Sequence, residues 1–418
     1  MMTQAFYTGI SGIRSNQFAI DVVSDNLANI STTGYRGSKY EFASLFESAV
    51  TSANGTAVDS SVGIGTRVQA TTLDEKNGSL QLSDRSTDLA ILGNGWFGVE
   101  GAGDPIFTRN GAFIFDADDD LVTNDGLHVL GTMGGNIDGE TLTNKLDDIA
   151  LGDVTAQEKL RFPKTLTYPP EPSSLATFVG NLGSTSEVRT MGAGVVDPQN
   201  NKNHLKLTFT QAVPQVLPGS QWDIVATAES LDGETVYDTQ VGQAAFNAEG
   251  SLISTTLTSI NNNGATVAID LGTGFDGVVA LANTDIYSSS SANGTIGGDL
   301  AGYSINKNAE VIATFTNGEQ SSVGKIAVYH FLNDQGLNRL NGSRFQESSN
   351  SGRPSFYTDE NGENIIGTDI VNFKLEQSNV EMSYGLTELI ILQRSFDANS
   401  KSITTSDQMM QKALNMGA

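Results

Sequence analysis

The C-terminal end of the chain carries a heptad repeat of apolar side chains that nothing nearby in the sequence can cover. A seven-residue spacing keeps one stripe of an α-helix facing a partner over many turns, so it predicts a long helix. The segment Ser378-Asn-Val-Glu381 has the pattern of a capping box and predicts where this helix begins. The predicted stripe consists of Met382, Leu389, Phe396, Ile403 and Met410.

The N-terminal end repeats the pattern, with Phe6, Ile13, Ile20 and Leu27 seven residues apart. One amphipathic helix usually packs on the core of its own domain. Two such helices at opposite ends of a chain favour a terminal coiled coil or a helical layer shared between subunits. Because ordering such long segments costs backbone entropy, we expect the two ends to be marginally stable in an isolated chain.

Composition excludes several classes of function. The chain has 418 residues and a formal net charge of −25, which argues against a nucleic-acid partner because phosphate binding draws on Lys and Arg. It contains no cysteine, so disulfides and thiolate metal sites are excluded. No apolar run approaches the roughly 18 residues that span a bilayer, and the first residues lack the layout of a cleaved secretory signal. We therefore expect no membrane insertion.

Between the helices the sequence is typical of β-structure. Asn110-Gly111 and Asp125-Gly126, each between apolar runs, predict the turns of an antiparallel meander. Gly34 predicts the end of the first helix, because glycine accepts the positive φ found beyond a helix C-terminus. The prolines from Pro163 to Pro172 and the serine-rich run 288–298 mark the boundaries of an inserted block.

These signals predict an α+β fold in which terminal, coiled-coil-like helices flank nested, mostly antiparallel β domains. Nesting brings the chain ends together, as paired helical stripes require. The predicted helical inner-core region comprises residues 1–70, which include an N-terminal linker, and residues 371–418. A discontinuous β domain comprises residues 71–161 and 303–370, and an inserted outer β domain comprises residues 162–302.

Motifs that would carry chemistry are weak. Gly93-Asn-Gly95-Trp-Phe-Gly98 has the glycine spacing of a dinucleotide site but is not followed by a helix pattern, so we interpret it as a turn. Asp116, Asp118 and Asp120 resemble the start of a calcium loop, yet the glycine and the glutamate that such a loop needs are missing. A solvated hairpin turn is the better interpretation.

The three histidines, His128, His204 and His330, are isolated in the sequence, which gives little support to a metal site or a catalytic triad. His330 alternates with Ile326 and Val328, and we expect it to be a hydrogen-bonded core residue. Carboxylates are abundant, but no spacing marks a glycosidase pair. We predict no catalytic, cofactor-binding or metal-binding residues.

The motifs at both ends resemble those of a known family, the flagellar hook and rod axial proteins. Asn26-Leu-Ala-Asn29 to Thr33-Gly-Tyr-Arg36 is similar to the N-terminal signature of the family, and Leu375-Glu-Gln-Ser-Asn-Val380 to its C-terminal signature. Asp88-Leu-Ala-Ile91, Gly93-Asn-Gly-Trp-Phe97 and Phe107-Thr-Arg-Asn-Gly111 resemble its first β-strands. The signature residues are Asn26, Asn29, Gly34, Tyr35, Ser378, Asn379, Gln393 and Arg394.

The middle of the chain resembles the hook members of the family. Tyr168-Pro-Pro170, Gly180-Asn-Leu182 and Gly250-Ser-Leu252 are similar to the inserted domain of hook proteins, which rod proteins usually lack. The resemblance implies a structural subunit of the bacterial flagellar hook. Such subunits polymerise into a curved hollow tube that acts as a universal joint for motor torque and as an export channel.

In this interpretation the terminal helices form the inner wall of the tube, and the nine stripe residues mediate self-association. The resemblance implies further partners: the distal rod, the hook cap, the hook-length-control protein and the hook–filament junction proteins. It also implies export through the flagellar type III apparatus without a cleaved signal, to the extracellular side of the basal body. The alternatives are a distal rod protein and, from another class, a secreted β-rich hydrolase or adhesin.

Overall fold

Two long helices lie at the two ends of the chain, with β-structure between them. The computed structural model describes residues 2–47, 62–215 and 218–416. Helix α1 spans Met2–Ala28 and helix α2 spans Met382–Met416. Since no proline follows Pro354, α2 continues without a break to the last described residue. Neither of these two helices is long and apolar enough to cross a lipid bilayer.

The two residues predicted to mark the helix boundaries, Ser378 and Gly34, both lie outside the helices. Helix α2 begins at Met382, and Ser378 accepts a hydrogen bond from Val380 N at 3.3 Å instead of closing a capping box. The first helical carbonyl belongs to Glu381, which accepts from Gly385 N at 3.0 Å. Gly34 does have a positive φ of 67°, but it lies six residues beyond the end of α1 at Ala28.

A long antiparallel hairpin follows α1, where the sequence predicted a linker. Its strands, Ser38–Glu47 and Val62–Leu73, pair from Ser38 opposite Leu73 onward. The hairpin packs along α1, and Ser15 donates from Oγ to the Thr66 carbonyl at 3.3 Å. The predicted linker also includes residues 48–61, which lie outside the described residues.

The β-structure nearest the helices draws on both halves of the chain. One apolar core combines side chains between Leu89 and Tyr168 with side chains between Ile305 and Ile370. Its main sheet has eight strands in the order Ile137–Asp138, Thr141–Leu142, Thr167–Tyr168, Gly298–Ile305, Glu310–Phe315, Gln320–Ile326, Leu130–Met133 and Glu158–Lys159. A five-stranded sheet has the order Val328–Tyr329, Trp96–Val99, Ile106–Thr108, Arg344–Gln346 and Asn338–Leu340.

Three smaller sheets complete this region. A four-stranded sheet has the order Asp369–Asn372, Asp88–Leu92, Gly111–Phe115 and Leu121–Thr123. Two strand pairs are Leu80–Leu82 with Lys374–Glu376 and Tyr357–Thr358 with Asn364–Ile365. Because early strands pair repeatedly with late ones, the chain must leave this region and return to it. The predicted α+β class with mostly antiparallel sheets is confirmed.

The two predicted hairpin turns have different outcomes. Gly126 has a φ of 80°, and the chain returns so that Val122 and His128 form an antiparallel bridge, as predicted. The Asn110-Gly111 prediction is wrong, because the strands on either side of it enter different sheets. A Cβ atom on Gly111 would lie 2.0 Å from the Leu89 carbonyl oxygen, so glycine is needed here for the close approach of strand Asp88–Leu92.

The structure confirms two further interpretations. Strand Trp96–Val99 follows Gly95 directly, so the glycine-rich motif is a turn and not a nucleotide loop. His330 is buried, and its Nε2 lies 2.7 Å from the Ile366 carbonyl oxygen, so this nitrogen carries the proton. Burial lowers the pKa of His330, which favours the neutral ring.

The block between Leu175 and Ala292 has a separate apolar core. Its five-stranded sheet runs in the order Arg189–Val196, Lys202–Gln211, Ser220–Ser230, Val236–Phe246 and Leu252–Thr255. Its second sheet runs Ser259–Asn262, Ala265–Asp270, Leu175–Asn181, Asp276–Val279 and Gly272–Thr273, with Ser288–Ala292 also paired to Leu175–Asn181. Leu205, Leu207 and Phe209 are fully buried and alternate with outward residues, as predicted.

Sheet membership suggests narrower limits for the inserted domain than the predicted residues 162–302. Strands Thr167–Tyr168 and Gly298–Ile305 both belong to the eight-stranded sheet. An antiparallel bridge between Glu171 and Thr295 closes the neck of the insertion. We propose that residues 171–297 form the independently folding unit.

We predict that residues 171–297, expressed alone, unfold cooperatively and give a β-type circular dichroism spectrum, because their core is separate from the rest of the chain. The longer segment 162–302 serves as the matched control and should gain little stability, since its extra strands lose their sheet. A helical or unfolded spectrum of the shorter segment would contradict the proposed limits.

Candidate assembly surface

Helices α1 and α2 pack antiparallel along one another within a single chain. The contact is close at three glycines: a Cβ on Gly9 would lie 2.7 Å from Ile403, one on Gly12 would lie 2.7 Å from Asn399, and one on Gly385 would lie 2.9 Å from Leu27. These glycines cost helix propensity of about 1 kcal/mol each relative to alanine. The absence of a Cβ at these positions leaves room for the Ile403, Asn399 and Leu27 side chains of the facing helix, so a larger residue would require these side chains to move.

The two predicted stripes meet at this contact. Ala19, Val23 and Leu392 are buried there, and Ile20, Leu27 and Leu389 pack against them. Most predicted stripe residues are half-buried, namely Phe6, Ile13, Ile20, Leu27, Leu389, Phe396, Ile403 and Met410. Met382 differs, with 54% of its surface exposed. The stripes thus serve pairing inside the chain, and their role in self-association stays a prediction.

Sequence reasoning missed the apolar side chains on the two flanks of α2. At 3.6 residues per turn, Leu386 and Ile390 lie on one flank of the stripe that faces α1, and Tyr384 and Ile391 lie on the opposite flank. All four are exposed, Ile390 at 51% and Ile391 at 58%. Exposed apolar side chains that cluster on one helix are typical of a protein interface, so the two flanks are candidate assembly surfaces. A helical wheel of α2 identifies these positions, whereas the heptad spacing alone does not.

A buried cluster of charges ties the helix pair to the β-structure. Glu376 accepts from Arg36 Nη2 at 2.9 Å on one carboxylate oxygen and from Arg109 Nη1 at 3.4 Å on the other. All three side chains are at least 96% buried. Gly78 N also donates to Glu376 at 2.9 Å. We call Arg36, Glu376 and Arg109 the arginine–glutamate cluster.

The arginine–glutamate cluster is held by backbone carbonyls as well as by charge. Arg109 donates from Nη2 to the Gly93 carbonyl at 2.5 Å and stacks over the Trp96 ring at 5.5 Å. Arg36 donates to the Glu75 carbonyl at 3.0 Å. Burial lowers the pKa of Arg109 to about 10, with the charge of Arg36 as a second cause. The guanidinium therefore stays charged at neutral pH.

Two of the predicted signature residues, Asn26 and Asn379, bind the backbone that directly follows Arg36. Asn26 exchanges hydrogen bonds with the backbone of Ser38, at 2.7 Å and 2.9 Å. Asn379 accepts from Gly37 N at 2.8 Å and donates to the Asp74 carbonyl at 2.8 Å. Asn26 thus links α1 to the strand that follows it, and Asn379 links the segment before α2 to the base of the hairpin after α1.

The remaining signature residues divide into two groups. Tyr35 donates to Asp25 at 2.9 Å, and Asn29 donates to the Asp25 carbonyl at 2.9 Å. Gly34 lies against Asn110 so closely that a Cβ would be 2.5 Å from its nitrogen. Gln393 and Arg394 are exposed on α2 and belong to no such network among the described residues.

Three family models match separate stretches of the chain. Residues 6–36 match the model described as "Flagella basal body rod protein". Residues 90–159 match "Flagellar hook protein FlgE/F/G D1 domain", and residues 373–416 match "Flagellar basal body rod FlgEFG protein C-terminal". Each matched stretch contains one member of the arginine–glutamate cluster.

Known proteins resemble the chain along its whole length. It is 26% identical to the flagellar hook protein FlgE of Borreliella burgdorferi and 27% identical to that of Salmonella typhimurium. Both alignments cover 99% of this chain and 100% of the relative. The crystal structure of Helicobacter pylori flagellar hook protein FlgE2 matches with a TM-score of 0.55 at 16% identity, over 71% of this chain and 100% of that one. This last likeness concerns the fold.

We predict that Glu376→Gln lowers the stability of the chain by about 3–5 kcal/mol, because it removes the carboxylate that pairs directly with two buried guanidinium groups. The matched control is Glu319→Gln, which removes the partner of Lys145 in an ion pair whose lysine is 41% exposed and should cost less than about 1 kcal/mol. Calorimetric unfolding of the soluble monomer measures both. Equal effects of the two variants would show that the cluster does not support the junction.

Proposed function

The chain belongs to the flagellar hook protein FlgE family and is a component of the flagellar hook, and we propose that its paired terminal helices form the inner wall of a tubular homopolymer. The observation that carries this proposal is the state of α2. One face of α2 is closed against α1, whereas both flanks expose apolar side chains.

Two different apolar flanks suit a helical tube. A surface that meets a different surface on the next subunit generates a ring or an open helix, whereas a surface that meets its own copy generates a closed dimer. Leu386 and Ile390 on one flank and Tyr384 and Ile391 on the other give each helix pair a neighbour on either side. The half-buried stripe residues would complete the contact at its edges. Hook self-assembly would thus add subunits laterally around a channel.

The outer parts of α2 suit a channel wall. Thr387 and Thr405 lie on the side of α2 opposite α1 and are exposed and uncharged, so they would not retain an unfolded chain passing through the tube. The β-structure would then form the outer layers and transmit torque as a universal joint. Within this proposal the hook meets the distal rod at one end, and the hook cap, hook-length-control and hook–filament junction proteins at the other.

The alternatives have less support. Two of the matched family models are described as rod proteins, but they cover only the chain ends. The relatives that align over 99% of the chain are hook proteins. Membership of this structural family also replaces the hydrolase or adhesin alternative, so the chain is not an enzyme.

We predict that Ile390→Asp abolishes polymer formation without changing the melting temperature of the monomer, because Ile390 is exposed before assembly and would be buried within the tube wall. The matched variant Phe396→Asp introduces the same charge on the stripe between Leu392 and Asn399, which face α1. It should therefore weaken the helix pair in the monomer itself. Sedimentation measures polymer yield, and circular dichroism measures helix content.

If Ile390→Asp polymerised like the unmodified chain, the exposed flank would not be an assembly surface. Thr405→Asp provides a second control, since it adds the same charge at an exposed polar position on the side of α2 opposite α1. That variant should polymerise normally.

We predict that salt promotes polymerisation. Each subunit carries a net charge of −25, and packing many copies accumulates repulsion that salt screens, with a Debye length that falls from about 10 Å at 0.1 M to about 3 Å at 1 M. Turbidity and sedimentation should therefore rise with ionic strength. A decrease with salt would indicate that specific charge pairs between subunits drive assembly instead.

A further inference from the structure

The chain brings together three metal-ligating side chains that are separated in the sequence. Asp116 and Asp120 lie at the two ends of the turn between strands Gly111–Phe115 and Leu121–Thr123. The Asp125-Gly126 turn then brings His128 back beside this turn. One ligand atom of each residue lies within 4.8 Å of the ligand atoms of the other two. Asp118, which completes the aspartate pattern in the sequence, is not part of this group.

Two buried atoms in the group have no partner among the described residues. Asp120 is 2% exposed, and its Oδ1 accepts no hydrogen bond. His128 Nδ1 is also buried and unpartnered, and it lies 3.6 Å from Asp120 Oδ2. An unpaired carboxylate oxygen in a buried position is costly unless a cation or a donor satisfies it.

Neighbouring groups orient the His128 imidazole and the Asp116 carboxylate for cation binding. Glu100 approaches the opposite side of the imidazole, with Oε2 3.9 Å from Nε2. A histidine that binds a metal through Nδ1 carries its proton on Nε2, and Glu100 is the carboxylate placed on that side of the ring to accept it. Asp116 Oδ1 accepts from the backbone nitrogens of Asp118 and Asp120, at 2.9 Å and 3.0 Å. These bonds fix the orientation of the Asp116 carboxylate and leave its second oxygen available.

We propose that Asp116, Asp120 and His128 bind a divalent first-row transition metal ion such as Zn²⁺. One imidazole nitrogen and two carboxylate oxygens are ligands that such ions accept, whereas Ca²⁺ and Mg²⁺ prefer oxygen alone. Ligands at about 2.0–2.1 Å from a tetrahedral ion lie about 3.4 Å apart, so the group needs to contract by at most about 1.4 Å. Bound metal would fasten the turn at Asp116–Asp120 to the start of strand Leu130–Met133.

Lys159 is the competitor at this site. Its Nζ lies 2.8 Å from Asp120 Oδ2, and its positive charge opposes the entry of a cation. The lysine side chain is 49% exposed, so the ammonium group can swing into solvent when metal binds. Removal of the lysine charge should therefore strengthen metal binding, whereas removal of a ligand should weaken it.

Isothermal titration of the soluble full-length chain with ZnCl₂ tests the proposal, and Co²⁺ absorption reports the ligand set. We expect one ion per chain, with affinity at least tenfold weaker in His128→Gln and in Asp116→Asn and stronger in Lys159→Met. Glu100→Gln should weaken binding about tenfold, as is typical for the loss of a carboxylate that orients a ligand. His204→Gln is the matched control and should bind normally.

Three results would overturn the proposal. The first is the absence of saturable Zn²⁺ binding, and the second is binding that His128→Gln leaves unchanged. The third is Ca²⁺ binding as tight as Zn²⁺ binding, which would indicate a site without the imidazole. Asp116 and His128 are partly exposed, so either variant decides the question if the other fails to fold, as judged by thermal melting.

Discussion

The buried contact of Glu376 with Arg36 and Arg109 is the interaction on which the rest of the structure depends. It joins the segment after α1, the first β-strands and the segment before α2 at one point. Because the desolvation of three charges is repaid only when all are paired, the contact tolerates one arrangement of these segments and penalises others. The helix pair is thereby held in a defined orientation to the β-structure, which the proposed role in transmitting torque would require.

Much of the fold follows from local patterns. The heptads of Phe6 to Leu27 and Met382 to Met410 predicted both helices because a 3.5-residue period has few other structural meanings. The alternation at Leu205, Leu207 and Phe209 predicted buried strand faces for the same reason. The Asn110-Gly111 hairpin failed because a dipeptide reports the local bend and not which sheet each strand joins. The same limit explains why the hairpin after α1 was predicted as a linker.

The site was harder to predict than the fold. Arg36, Arg109 and Glu376 are unremarkable charges in the sequence, and their pairing depends on contacts between opposite ends of the chain. The heptad positions were found, but their partner is α1 of the same chain, so the exposed positions Ile390 and Ile391 are the better candidates for assembly. Gly9 and Gly12 have a low helix propensity, and propensity alone does not include the partner helix whose side chains occupy the space beside them.

In the proposed hook, the two terminal helices of one subunit pair with each other both before and after assembly. The chain has no cysteine, so the double variant Gly12→Cys, Asn399→Cys introduces the only two thiols, at positions that touch across the pair. After oxidation, non-reducing electrophoresis should show an internally cross-linked monomer, whether the sample is soluble subunit or polymer. A ladder of covalent oligomers, or no cross-link in the soluble subunit, would contradict the account.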